Sequence, residues 1–205
     1  IAENFAKIDT RVKVIHFESN NPCGYGVIAK ATTKYYMWAA GHDYYAPTFI
    51  EKCLNALESD PSVVLAYPRA KWFRGNTVYD EIPAIIDTRG IPPVSRPLVV
   101  MHGLVEAYQQ YGIYRRKELH KLIKCHVVGF DHVRLTELAQ MGSFALIDEP
   151  LFFMRKSENW GNWEVYRKKH FPNETDGAKA FLQMINAYMS IADKVVYHLN
   201  YKIRI

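Results

Sequence analysis

The chain is poor in cysteine. It has three in 205 residues, Cys23, Cys53 and Cys125, an odd number with no CxxC pair. That argues against a disulfide framework or a zinc site and suits a reducing compartment. Long apolar runs are missing too: none approaches the roughly 18–20 residues needed to span a bilayer. The opening IAENFAKID lacks the basic and apolar regions of a secretory leader, so a cytoplasmic location is expected. Internal repeats and low-complexity tracts are absent. So are a nucleophile-elbow serine, a phosphate-binding glycine loop and the dinucleotide glycine fingerprint. No RNA-binding signature, zinc-finger spacing or basic heptad region occurs, which speaks against a nucleic-acid partner. The net charge of +5 is modest and is compatible with nucleotide diphosphates or a membrane surface.

What is present is apolar and aromatic. At 49% hydrophobic, residues 1–205 suffice for one well-buried α/β domain. Residues 1–8 predict the tail of a helix, with Ile1, Phe5 and Ile8 on one face. Alternation over 12–17 predicts a short strand, and Asn20 to Gly26 is loop-like by composition. An aromatic-rich strand is expected over 35–40, stopping at the turn Gly41-His42-Asp43. Pro47 suits the first turn of a helix in which Phe49, Ile50, Cys53, Leu54 and Leu57 make an apolar stripe. Asp60-Pro61 ends it before a strand over 62–67. Residues 72–97 read as short extended pieces with a turn at Gly75-Asn76, a candidate mobile segment over an active site. Helices are expected over 96–109, 116–124 and 130–141, the last stopped by Gly142. Strands follow over 144–147 and 151–154. A helix over 178–199, within a C-terminal extension 178–205, would pack on the domain or on a second subunit.

A carboxylate at the carboxyl end of a strand in such a chain sits where α/β sheets bind ligands. Asp43 holds that place, though a plain turn aspartate also fits it. The whole stretch KYYMWAAGHDYYAPTFIEKCLNALESDPSVVLAYPR, residues 34–69, resembles the middle of inverting family 2 glycosyltransferases. Their GT-A fold is a Rossmann-related mixed sheet flanked by helices. The resemblance implies transfer of a sugar from a nucleotide-diphosphate sugar to a glycan or lipid-linked acceptor, at the inner face of the membrane in polysaccharide assembly. It also implies a divalent cation, manganese or magnesium, on Asp43. The family commonly has two adjacent acids here, and His42 stands where the first would fall. Imidazole is a better ligand for manganese than for magnesium.

Three further segments extend the resemblance. Gly129-Phe130-Asp131, running on to Leu138 and Gly142, is similar to the segment whose aspartate is the usual candidate base. That gives Asp131 the task of deprotonating the acceptor hydroxyl, beside the alternative of a helix N-cap. It shares a helical face with Leu135 and Leu138; Glu137 and His132 are weaker candidates. Gly112-Ile113-Tyr114-Arg115-Arg116 resembles a segment near the acceptor, so Arg115 and Arg116 are expected to hold anionic groups. Lys117, Lys121 and Lys124 read as a solvated face. Glu149-Pro150-Leu151, running to Arg155, resembles a segment in which a histidine two residues after the arginine often helps hold metal or diphosphate; Ser157 takes that place here, leaving Arg155 for the diphosphate or, as an alternative, for a buried structural ion pair. Asn21, in the early loop, is counted with the donor- or acceptor-binding residues. Trp72, Trp160 and Trp163 lie in loop-like stretches and are candidates for stacking on sugar rings.

The resemblance begins late. Asp9 and Arg11-Val12 match a motif that follows the nucleotide-binding strands of relatives, so the fold is expected to be N-terminally incomplete. With His42 and Ser157, this keeps a rival open: a non-catalytic glycosyltransferase-like binding or assembly subunit. Peripheral membrane contact and a homo-oligomer through the C-terminal helix are further expectations.

Overall fold

The computed structural model describes residues 1–16, 25–83, 85–122 and 129–156, with isolated positions between 162 and 193. Helix α1 (Ala2–Ile8) bears no buried residue, and α2 (Tyr25–Lys30) follows the loop. Residues 12–16 form no strand, because none of the described strands pairs with them. Then come β1 (Tyr35–Met37), β2 (Tyr44–Tyr45) and α3 (Phe49–Ser59). Pro47 lies in the turn ahead of α3, whose N-cap is Thr48. Phe49, Cys53 and Leu57 are fully buried at four-residue spacing, whereas Ile50 of the same expected stripe faces solvent.

Strand β3 (Val63–Arg74) runs well past the expected end, and β4 (Thr77–Glu81) returns through the turn at Gly75-Asn76. After α4 (Arg96–Gly103), a 3-10 turn (Tyr108–Tyr111) leads into β5 (Ile113–Arg115) and α5 (Arg116–Leu119). Helix α6 (Phe130–Leu138) precedes β6 (Ser143–Arg155). The sheet order is β1-β5-β3-β6-β2, with β4 also on β3. Among the described strands only β3 and β6 are parallel; every other pair is antiparallel.

Two prolines explain why the sequence understates β3 and β6. Proline cannot donate to a ladder and reads as a strand break. Here Pro68 pairs with Ile147 and Arg69 with Pro150, so the ladder shifts register at a bulge and continues to Phe73 and Arg155. The two strands expected over 144–147 and 151–154 are therefore one. Trp72 lies in β3 and is buried, which removes it as an exposed stacking surface. Trp160 and Trp163 fall outside the described residues.

Strand β3 is buried on both faces for most of its length, as a central strand should be, so Val63 to Tyr67 show no alternation. Its neighbours approach closely. A Cβ on Gly112 would stand 2.6 Å from the Ala66 carbonyl oxygen, and one on Gly142 would stand 2.2 Å from Val64 Cγ1. Gly142 thus serves close packing rather than a left-handed helix stop. The segment after β4 is tied down: the Tyr67 hydroxyl accepts from the Ile86 amide and donates to the Ile86 carbonyl. Thr88 exchanges bonds with Phe144, its Oγ1 accepting from that amide at 2.7 Å. Of the expected C-terminal helix, only a few positions, including Leu182 and Met189, are described; they are helical and exposed. Among the described residues no helix is long and apolar enough to cross a membrane.

Candidate functional site

The loop leaving β1 turns at Gly41-His42 and delivers Asp43 one residue ahead of the β2–β6 ladder. Its side chain is 1% exposed. Oδ1 accepts from the Arg155 amide at 2.9 Å and lies 3.7 Å from His42 Nε2. Oδ2 is sealed from solvent with no hydrogen-bond partner. Burial pushes the Asp43 carboxyl up, against the opposing pull of the Arg155 amide and the His42 and Arg155 charges. Beside it, Tyr45 is pushed up to about 12 by burial and by the Asp43 charge.

The end of β6 completes this corner. The exposed Arg155 guanidinium stands 5.5 Å from the Phe73 ring, and Lys156 Nζ stands 5.6 Å from the Trp72 ring. Tyr44 packs on Phe73 with centroids 4.6 Å apart. One cation, Arg155 over the Tyr44–Phe73 pair, therefore lies beside a buried, half-bonded carboxylate, while Lys156 lies over Trp72, the next residue of β3 and so on its other face. The Tyr44–Phe73 pair under Arg155 carries no sequence signal; strand ends assembled from distant segments make these residues neighbours.

Asp131 is the second residue of α6, and the N-cap is Gly129 in a left-handed conformation (φ 73°). The alternative N-cap reading of Asp131 therefore fails by two positions. Its Oδ1 accepts from the His132 amide at 2.9 Å, and Gln110 Nε2 approaches Oδ2 at 3.4 Å. Leu135 and Leu138 are buried on the shared face, but Glu137 is buried as well, so it does not point away to solvent. Arg134, one turn after Asp131, is 2% exposed, its guanidinium 5.0 Å from the Trp38 ring and 4.9 Å from that of Phe130. Trp38 in turn accepts from the Tyr45 hydroxyl through its carbonyl at 3.5 Å. The end of β1 thus stands between the Asp43 turn and the start of α6.

Arg115 and Arg116 are not brought here. Arg115 lies opposite Tyr35, at the start of β1, and donates to the carbonyls of Leu57, Asp60 and Val63. Arg116 donates to the Thr33 carbonyl and contacts His120 at 3.1 Å. Both belong to the opposite ends of the strands from Asp43, with their donors turned to the protein's own backbone. Asn21 falls outside the described residues.

The family described as glycosyl transferase family 2 matches residues 1–123. The chain belongs to glycosyl transferase family 2. Its mixed sheet with flanking helices is that of a GT-A-like domain. The match takes in the Asp43 turn and ends before α6 and β6, so it does not reach Asp131 or Arg155. Among curated proteins, none matches the chain.

As to a cation, no cluster of three or more His, Cys, Asp or Glu side chains occurs among the described residues. A hard cation bound to a diphosphate keeps waters and phosphate oxygens and needs only one or two carboxylates. The unpartnered Asp43 Oδ2, with His42 alongside, fits that requirement.

Proposed function

We propose that this family 2 glycosyltransferase moves a sugar from a nucleotide-diphosphate sugar to a hydroxyl of a glycan or lipid-linked acceptor, with inversion. The observation that carries the reading is the buried Asp43 carboxylate, half-bonded and faced by Arg155 at the carboxyl end of β6. Asp43 and His42 would hold a divalent cation, manganese suiting the imidazole better than magnesium. Such a cation, when bound, neutralises charge on the diphosphate. Arg155 attracts the phosphate oxygens. Asp131 takes the proton from the acceptor hydroxyl as its oxygen bonds to the anomeric carbon and the bond to the diphosphate breaks. Direct displacement on one face inverts the carbon.

The test is a calorimetric titration with UDP, GDP, CDP and dTDP, with and without manganese. Manganese-dependent binding of one nucleotide is expected. Silence from a well-folded sample would sink the donor reading and favour the non-catalytic binding subunit, the reading that His42 in an acidic position supports.

A further inference from the structure

The 3-10 turn Tyr108–Tyr111 carries two adjacent glutamines in different surroundings. Gln109 is fully buried, whereas Gln110 is half-buried and reaches α6. Its Nε2 donates to Asp131 Oδ2 at 3.4 Å, while Oδ1 accepts from the His132 amide at 2.9 Å. Both oxygens of the carboxylate are thereby held, and its plane is set from two sides. An oxygen that accepts one bond keeps a second lone pair, which leaves Oδ2 able to take a proton.

The turn that carries Gln110 is itself braced. Its N-cap, Ala107, has a left-handed backbone (φ 49°) and is fully buried. Among the described residues it is the only non-glycine with a positive φ. A residue with a Cβ adopts this conformation at a cost, and it persists where the surroundings impose it, often beside functional groups. The Ala107 carbonyl accepts from the Gln110 amide at 3.0 Å, and the Gln109 carbonyl from the Gly112 amide at 3.0 Å. The Gln110 carbonyl accepts from the Tyr114 hydroxyl at 2.9 Å, and Tyr114 is fully buried in β5. The main chain of Gln110 is thus fixed at both its amide and its carbonyl. Gln110 and Asp131 are both half-buried, and water could replace their mutual bond at little loss of stability. What the bond fixes is direction.

We propose that Gln110 is a positioning residue for the Asp131 base, holding its carboxylate in the orientation from which it takes the acceptor proton. The assignment rests on the glycosyltransferase reading and deepens its proton-transfer step. Such a step needs base and hydroxyl within hydrogen-bond reach, and a misplacement of about 1 Å can cost ~10²-fold in rate. The full chain is tested in two ways, one of which needs no substrate. The Asp131 carboxyl carbon is observed by carbon-13 NMR, assigned by its loss in Asp131→Asn. Turnover is read as nucleoside diphosphate release from UDP-glucose, UDP-galactose, GDP-mannose and dTDP-rhamnose, with manganese and with methyl pyranosides as acceptors. Calorimetry with the nucleoside diphosphates runs alongside.

Gln110→Leu should move the Asp131 resonance and lower kcat about ten-fold, the worth of one hydrogen bond to a charged group. The donor KM and nucleotide affinity should stay as they were. In an Asp131→Asn background the same change should cost almost nothing, because the two residues act as a unit. Tyr114→Phe loosens only the Gln110 carbonyl; it should give a smaller loss of the same kind and carries the test if Gln110→Leu does not fold. An unmoved resonance overturns the proposal, as does unchanged kcat in the folded variants. Equal losses in both backgrounds overturn it by leaving Gln110 a purely structural part. A raised donor KM at unchanged kcat overturns it by moving Gln110 to the donor. Nucleotide binding without turnover by the unaltered chain removes Asp131 as base, and this proposal with it, while the donor site stands. Absence of both sinks the glycosyltransferase reading itself.

Discussion

At Asp43, one carboxylate oxygen is bonded and the other is not, and burial holds the carboxyl above its ordinary value of 3.8. The folded protein therefore binds this proton more tightly than the unfolded chain does. By linkage, stability is lost as pH rises from the ordinary value through the raised folded one. Cation-free Asp43→Asn protein should melt above the unaltered chain at neutral pH, and the gap should close as pH falls toward the ordinary value. Calorimetric melts across that range check the sign, and a constant gap would contradict it. Manganese should raise the melting temperature of the unaltered chain and leave the variant where it was. Asp131 makes a different prediction. Asp131→Asn keeps an acceptor oxygen for the His132 amide but loses the basic charge. Transfer should fall about 10²–10⁴-fold with nucleotide affinity unchanged, read by nucleotide release and calorimetry; retained turnover would remove Asp131 from the base role.

Among elements, α3 shows how a residue with a functional-looking motif can serve structure. The helix ends at Ser59 with no basic residue in its last turn, and Arg115 supplies that charge from β5 by donating to the carbonyls of Leu57 and Asp60. Arg115→Met should cost about 2 kcal/mol in denaturant unfolding, the scale of hydrogen bonds to a charged group. Nucleotide affinity should not change, and a selective loss of affinity would return Arg115 to the site. Strands β3 and β6 teach a related lesson. Pro68 and Pro150 look like breaks because each lacks a donor, yet they face the same bulge, where the ladder is already interrupted.

Across the whole molecule the net charge is +5. Arg155 and Lys156 stand at the end of the sheet that carries Asp43, where a diphosphate would bring negative charge. Nucleotide binding should weaken as salt rises, since exposed charges are screened beyond about 8 Å at physiological ionic strength. Titrations at low and high salt check this, and a salt-independent affinity would contradict it.

The sequence by itself determined the class of the molecule and its most telling turn. Unbroken burial of Val63 to Tyr67 and the stripe Phe49, Cys53 and Leu57 follow from short-range pattern, which a single segment carries in full. Asp43 does not close a strand as expected: β1 stops at Met37, and the loop carries Asp43 on to the start of β2. Tertiary structure decided the partners. It turned Arg115 and Arg116 toward backbone carbonyls, buried Trp72, moved the α6 cap to Gly129 and gathered Arg69, Glu81 and Asp148. A charge in a sequence has no stated partner until the chain folds. Whether an arginine meets a ligand or a helix end depends on which distant carbonyls the sheet order leaves beside it.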